Sequence, residues 1–148
     1  TWSTLPTVAE TATLVNWPAL LDARGAVLRE LERLRVAGQI GAPLDAVVDL
    51  YAAPELRAPL EALGEELRFV MITSEARVHA ADARPAEAVP ATTDGEASLW
   101  VRVRPSTAAK CVRCWHKRDD AGSVAAHPEL CGRCVVNPDG TGETRRFA

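Results

Sequence analysis

The sequence predicts an α+β fold: a small mixed β-sheet, made of a βαβ unit plus one antiparallel strand, with two helices and a C-terminal four-cysteine ribbon or knuckle module. Three observations predict it. Two short runs of strand character, residues 46–51 and 69–73, flank a stretch with leucines at helical spacing. Residues 98–104 alternate apolar and polar side chains. All four cysteines fall in the last forty residues, as two Cys-x2-Cys pairs.

In chain order, residues 1–15 have no clear period and read as an arriving linker. Asn16-Trp17-Pro18 marks a helix start, with Asn16 or Trp17 near the cap. Leu20, Leu21, Val27, Leu28, Leu31 and Leu34 form an apolar stripe, and the helix ends at Gly38. An amphipathic helix of this kind packs on its own domain more often than on a partner. Residues 40–43 are a turn and residues 46–51 the first strand. Pro54 opens a second helix whose stripe is Leu56, Leu60, Leu63 and Leu67. Pro59 inside it is expected to kink the helix or delay its start, and Gly64 to end the regular part.

Residues 69–73 (FVMIT) read as a buried strand, extending toward Val78. A helical connection of this length makes the two strands parallel. Residues 79–97 are rich in Ala, Pro and acid, and a mobile loop is expected there. In the last strand Leu99, Val101 and Val103 share one face and Trp100, Arg102 and Arg104 the other. This strand is expected to run antiparallel to the second. For its arginines a charged exposed edge is the first reading and RNA contact the second. The predicted division is therefore a linker (1–15), a small α/β unit (16–104) and a metal module (105–148).

The 148 residues suit one ordinary domain, or a small one with a metal module. The formal net charge of −3 hides an asymmetry. Residues 1–98 carry eight basic and fifteen acidic side chains, whereas residues 99–148 carry nine and five. A modestly basic end on an acidic support fits contact with nucleic acid, and equally a solvated face. No apolar run approaches the ~20 residues of a membrane span. The chain opens on Thr1 without a signal peptide and Met71 is its one methionine, so it reads as a piece of a longer protein. Four thiols arranged for metal imply a reducing, cytoplasmic setting.

Cys111 and Cys114 form one pair, Cys131 and Cys134 the other, with sixteen residues between them. Two residues between thiols let a tight turn aim both sulfurs at one ion, and two such turns make a tetrahedron of thiolates. Zinc suits that set, and iron accepts the same ligands. Two disulfides would not require the paired spacing. Four sulfurs close the coordination sphere, so His116 and His127 read as neighbours of the site and the metal as structural rather than catalytic. The indole of Trp115 either shields the metal, the reading preferred here, or stacks on an exposed base. Lys110, Arg113, Lys117, Arg118 and Arg133 surround the thiolates and offset their charge. Phosphate contact is a further use for them, as for Arg145 and Arg146 in the tail. There is no glycine-rich phosphate loop, no nucleophile elbow and no Ser/His/Asp set arguable from spacing.

The segments KCVRCW, HPELCGRCV and GETRRFA resemble the C-terminal zinc-binding segment of bacterial isoleucyl-tRNA synthetases, and IGAPLDAVVDLY with PELRAPLEALGEELRFVMITS resembles the region before it. The resemblance implies a class I aminoacyl-tRNA synthetase. Cys111, Cys114, Cys131 and Cys134 carry over as ligands of one structural zinc, and no catalytic residue carries over. ATP would serve the parent enzyme and not this part. The implied partners are an isoleucine-accepting tRNA and the rest of the synthetase chain, with a helical anticodon-binding domain before residue 1. No membrane partner is expected, and the protein is expected to be a monomer. The candidate RNA-binding residues are then Lys110, Arg113, Trp115, Lys117, Arg118, Arg133, Arg145 and Arg146. The same finger type resembles the one ending formamidopyrimidine-DNA glycosylases. That leaves a DNA-binding module, or a purely structural cap, as the competing readings.

Overall fold

A computed structural model of the chain describes residues 16–92 and 97–147. The expected linker and four residues of the 79–97 segment lie outside them. Helix α1 (Trp17–Val36) starts as its sequence dictates: the Asn16 side chain accepts from the Ala19 N–H at 3.2 Å, and Pro18 sits in the first turn. Gly38, at φ 69°, follows its C-terminus. The buried stripe is Leu20, Ala23, Ala26, Val27, Leu31 and Leu34. Leu21 and Leu28, counted in the stripe from sequence, are exposed instead; alanines fill the contact line because the helix lies close against the sheet.

Strand β1 (Ala46–Ala52) is buried along its whole length. Helix α2 (Pro54–Glu61) follows without delay and runs on through Pro59, at the cost of one backbone bond. The next stretch corrects the sequence reading. Residues 69–71, three of the five in the expected second strand, belong instead to a short helix, α3 (Leu67–Met71). Leu67, Arg68 and Met71 are its buried residues. An apolar run this short does not distinguish a strand from a buried helical turn. Ile72 then takes the left-handed conformation, φ 57° and ψ 48°, and turns the chain. The true strand is the next one, β2 (Glu75–Ala80), parallel to β1 as expected, with Val47 opposite Glu75 and Tyr51 opposite His79.

Within the segment expected as a loop, residues 79–80 end β2, residues 81–83 form a 3-10 turn, and β3 (Val89–Pro90) is a two-residue strand. Strand β4 (Leu99–Pro105) has the alternation read from sequence, with Leu99, Val101 and Val103 buried. Its partner differs from the expectation: β4 runs antiparallel to β1, not β2, and the sheet order is β2-β1-β4-β3. The continuously buried β1 belongs in the middle, and β2, half-buried with Arg77 exposed, at the edge. The short β3 covers part of the outer side of β4, which is therefore not a bare edge.

The helices pack on one side of this sheet. The main core joins the α1 stripe, Leu60, Leu63, Leu67 and Met71 to Val48, Leu50, Val101 and Val103. The last helix, α4 (Gly132–Asp139), belongs to a separate buried cluster around the cysteines. Among the described residues, no helix is long and apolar enough to cross a membrane.

Candidate metal centre

The first cysteine pair lies on a turn between residues 110 and 117, which form an antiparallel bridge. Within it the Cys111 N–H donates to the His116 carbonyl at 2.9 Å and the Trp115 N–H to the Cys111 carbonyl at 2.9 Å. Trp115 closes the turn at φ 66°. The second pair begins α4: Cys131 is its N-cap and Cys134 lies in its first turn. Two backbone bonds tie these segments, from the Val112 N–H to the Glu129 carbonyl at 3.2 Å and from the Gly122 N–H to the Leu130 carbonyl at 2.9 Å. Gly122 sits at φ +81°, and a Cβ there would come within 2.8 Å of the Pro128 carbonyl oxygen. The Asp120 carboxylate accepts from the Gly132 N–H at 3.1 Å and fixes the start of α4.

These turns bring the four Sγ atoms within 4.8 Å of one another. Sulfurs about 2.3 Å from a tetrahedral zinc lie about 3.8 Å apart, and Cys114 and Cys131 Sγ are 3.7 Å apart. A disulfide needs about 2.05 Å, and all four cysteines are free. The donor set thus fits one structural zinc. Cys111, Cys131 and Cys134 are buried, and Ala121 and Leu130 pack against them.

Electrostatics shape the cluster further. Burial pushes the Cys111 thiol up, but backbone N–H groups of Cys114, Cys131 and Arg113 outweigh it and bring the thiol down to about 6. Burial, and then the neighbouring sulfurs, push Cys131 and Cys134 up. Without a cation, burial and the neighbouring sulfurs thus oppose ionisation of Cys131 and Cys134. Positive side chains answer the charge. Arg113 Nη1 donates to the Cys134 carbonyl at 3.0 Å. Burial works against the Arg133 charge, but the Cys114 sulfur and Glu143 outweigh it and raise its pKa. Arg68, a buried residue of α3, also faces the cluster, and its partner Glu65 lies 2.6 Å away.

The eight candidate RNA-binding residues separate into two sets. Lys110 and Trp115 point outward on the first knuckle, with Val112 exposed beside them, whereas the exposed Arg113 turns its guanidinium back to the Cys134 carbonyl. Trp115 is 62 % exposed, and the Lys110 ammonium lies 5.4 Å from its ring centroid. Shielding of the metal by this indole is therefore not what the structure shows; Ala121 and Leu130 supply apolar cover instead. The remaining cations are engaged within the chain. Lys117 Nζ donates to the Ser106 carbonyl at 3.3 Å, and Arg118 lies 3.4 Å from Glu65. Arg133 and Arg145 reach Glu143 at 3.0 and 3.1 Å and lie against the Phe69 ring, at 5.3 and 4.1 Å. Arg146 and Phe147 donate their backbone N–H groups to Glu66, both at 2.6 Å.

His116 is half-buried, with Nδ1 donating to the Cys114 carbonyl at 3.2 Å and its ring edge-on to Phe69. Burial lowers its pKa, so the ring is neutral at pH 7. His127 pairs with Asp139. Neither histidine joins the sulfur cluster.

Sequence reasoning missed the residues that join the module to the sheet. The buried Ser74 hydroxyl donates to the Leu44 carbonyl at 2.5 Å and accepts the Lys117 N–H at 2.6 Å. Ser106 donates its N–H to the Asp45 carbonyl at 2.7 Å. Phe69 collects arginines from α3, α4 and the tail. Sequence carried one signal, the apolar run that holds Phe69; Ser74 and Ser106 read only as residues that follow it or the last strand.

Comparison with known proteins agrees with this geometry. Residues 109–136 match the family described as a zinc finger found in FPG and IleRS. The chain is 58 % identical over 132 residues to an isoleucine–tRNA ligase of Thioalkalivibrio sulfidiphilus, covering 89 % of this chain and 14 % of that protein. It is 50 % identical over 151 residues to the isoleucine–tRNA ligase of Nitrosococcus oceani, covering 100 % of this chain and 16 % of that protein. The ligase of Halorhodospira halophila is 50 % identical over 139 residues, with 94 % and 15 % covered. These relatives favour the synthetase reading over a glycosylase-type DNA finger. From its first helix to its cysteine cluster, the chain matches the C-terminal region of bacterial isoleucine–tRNA ligases and spans about a seventh of their length.

Proposed function

We propose that this chain serves as the C-terminal part of an isoleucine–tRNA ligase, in which a zinc-shaped knuckle helps hold tRNA on the anticodon side. The parent enzyme would activate isoleucine with ATP as an adenylate, transfer it to tRNA and release AMP, with the reacting groups supplied by other parts of the polypeptide. Residues 16–104 act as the α/β support and residues 105–148 as the metal module. Cys111, Cys114, Cys131 and Cys134 would hold the ion. When bound, zinc supplies structure by joining four thiolates that would otherwise repel one another. On this reading the protein works in the cytoplasm as a monomer.

The observation that carries the proposal is the outward set on the first knuckle. Trp115 is largely exposed although its turn is fixed by backbone bonds, and the Lys110 ammonium lies against its ring. A rigid aromatic beside a cation suits an unpaired base and its phosphate. In the zinc-loaded chain, Trp115→Ala is expected to weaken binding of an isoleucine tRNA transcript about tenfold, within the ~1–3 kcal/mol of one base–aromatic stack. Fluorescence anisotropy measures this, with nicked duplex DNA as competitor. Unchanged tRNA affinity in Trp115→Ala favours the structural-cap reading, and preference for the DNA favours the glycosylase-like one.

A further inference from the structure

One line of α1 takes no part in the core. Trp17, Leu21 and Leu28, spaced by four and seven residues, fall along one side of the helix. All three are exposed, at 37, 55 and 38 %. The buried stripe from Leu20 to Leu34 already fills the contact with the sheet, and none of these three belongs to it.

Leu21 also borders a groove of about 470 Å³, lined with it by Ala23, Gly25, Leu56, Ala91 and Leu99. Gly25 stands well inside a twenty-residue helix, where glycine is the poorest helix former after proline. The fold of this chain does not call for it: a Cβ there would meet only the end of the Arg29 side chain, at an ordinary 3.8 Å. A residue without a side chain on the wall of a groove leaves room for something else to come close.

The arginines around this line are engaged within the chain. Arg24 Nε donates to the Val70 carbonyl at 2.9 Å, and Arg29 Nη2 to the Ala91 carbonyl at 2.5 Å. Glu32 and Arg35 pair with each other at 2.7 Å. Asp22, also on the groove wall, adds a negative charge that RNA phosphates would oppose. An apolar centre with charges at its margin is the make-up of a protein contact.

Size decides between occupants. Three partly exposed side chains and one groove fall well short of the roughly 800 Å² per partner that a stable contact between free proteins buries. A tethered segment needs less, because its effective concentration is on the order of millimolar. The isoleucine–tRNA ligases that this chain matches are far longer, with 14 and 16 % of their length covered, and the match lies in their C-terminal region. We propose that the Trp17–Leu21–Leu28 line and its groove form a docking surface for an apolar segment of the same polypeptide, upstream of Thr1. The proposal rests on the reading of the chain as part of a longer ligase, and not on tRNA contact at the knuckle.

The test uses the complete ligase, with a benzophenone-bearing amino acid in place of Leu21. Irradiation should crosslink this position to a peptide upstream of Thr1 in the same molecule, identified by mass spectrometry. A crosslink to residues 1–148, to a second copy or to bound tRNA, or none at all, would overturn the proposal. Leu21→Glu and Gly25→Gln give a second readout. In the zinc-loaded chain, Leu21→Glu should leave the melting temperature within about 1 °C, and Gly25→Gln should raise it by about 2 °C or more. In the complete ligase both should speed proteolytic release of the C-terminal part about tenfold. Release at the parent rate in both variants would also overturn the docking. Isoleucylation separates the two readings. A protein that charges tRNA with isoleucine but shows no upstream crosslink loses the docking surface alone. One that crosslinks upstream but charges no tRNA keeps the docking surface and loses the ligase reading.

Discussion

Ser74 is fully buried, and its hydroxyl is shared between two carbonyl and amide groups from distant parts of the chain. Removing it strands the Leu44 carbonyl and the Lys117 N–H without the partner they now have. Ser74→Ala is therefore expected to cost about 1–3 kcal/mol, the penalty of unsatisfied buried groups, seen as a lower urea midpoint at constant metal occupancy. Nothing in the sequence announces this. A serine between a short apolar run and a charged strand reads as a turn residue, and only the meeting of residues 44, 74 and 117 gives it a role. The cysteines are the opposite case. Their spacing alone encodes the convergence of four sulfurs, because a turn with two intervening residues fixes the geometry locally. Trp115 shows the limit of such local inference. Its position beside the first pair was legible, but the direction of its ring depends on a left-handed backbone at φ 66°.

At the level of elements, α3 and the tail behave as one unit. The tail reaches α3 through Arg145 on Phe69, and reaches the residue just before α3 through the amides that Glu66 accepts. Glu143 completes the arrangement by accepting from Arg133, Asn137 and Arg145. Burial pushes the Glu143 carboxyl up, but hydrogen bonds from Arg145 and Asn137, with Arg133, outweigh it and hold the pKa below its usual value. A carboxylate with a depressed native pKa stabilises above its unfolded value, about 4.3, and that contribution fades as pH falls through the native one. Hydrogen exchange at Arg146 and Phe147 should thus accelerate, relative to the sheet amides, as pH is lowered from 5 toward 3. Glu143→Gln should show the faster relative exchange already at pH 5. The misreading of α3 has the same origin as its role. FVMIT is apolar because it touches both the core and the module, and two-sided burial erases the period that would separate helix from strand. For elements with one buried side, α1 and β4, the bounds were legible almost to the residue, although two leucines of the α1 stripe proved exposed.

At the scale of the whole molecule, the described residues form two buried clusters, one of aliphatic side chains between helices and sheet and one of cysteines. The first is self-sufficient in kind; the second has few apolar atoms and depends on its ion. Chelation of the metal should accordingly unfold residues 106–147 and leave the sheet unit folded. Near-ultraviolet circular dichroism and hydrogen exchange should report a local loss, and added zinc should reverse it. Retention of exchange protection at Val112, Gly122 and Gly142 after complete metal removal would contradict this. Strand order marks what lies beyond sequence at this scale. The strands themselves were visible, but which neighbour β4 chooses depends on β1 being buried on both faces and both edges, a property of the assembled sheet.

The central place of β1 also bears on how the polypeptide acquires its shape during synthesis. Its parallel neighbour emerges from the ribosome first and its antiparallel neighbour second, both ahead of the cysteines. Vectorial folding can therefore complete the sheet before any thiol is exposed to metal. A cell starved of zinc would make molecules with a finished scaffold and an unset terminus, ready to mature once the ion arrives.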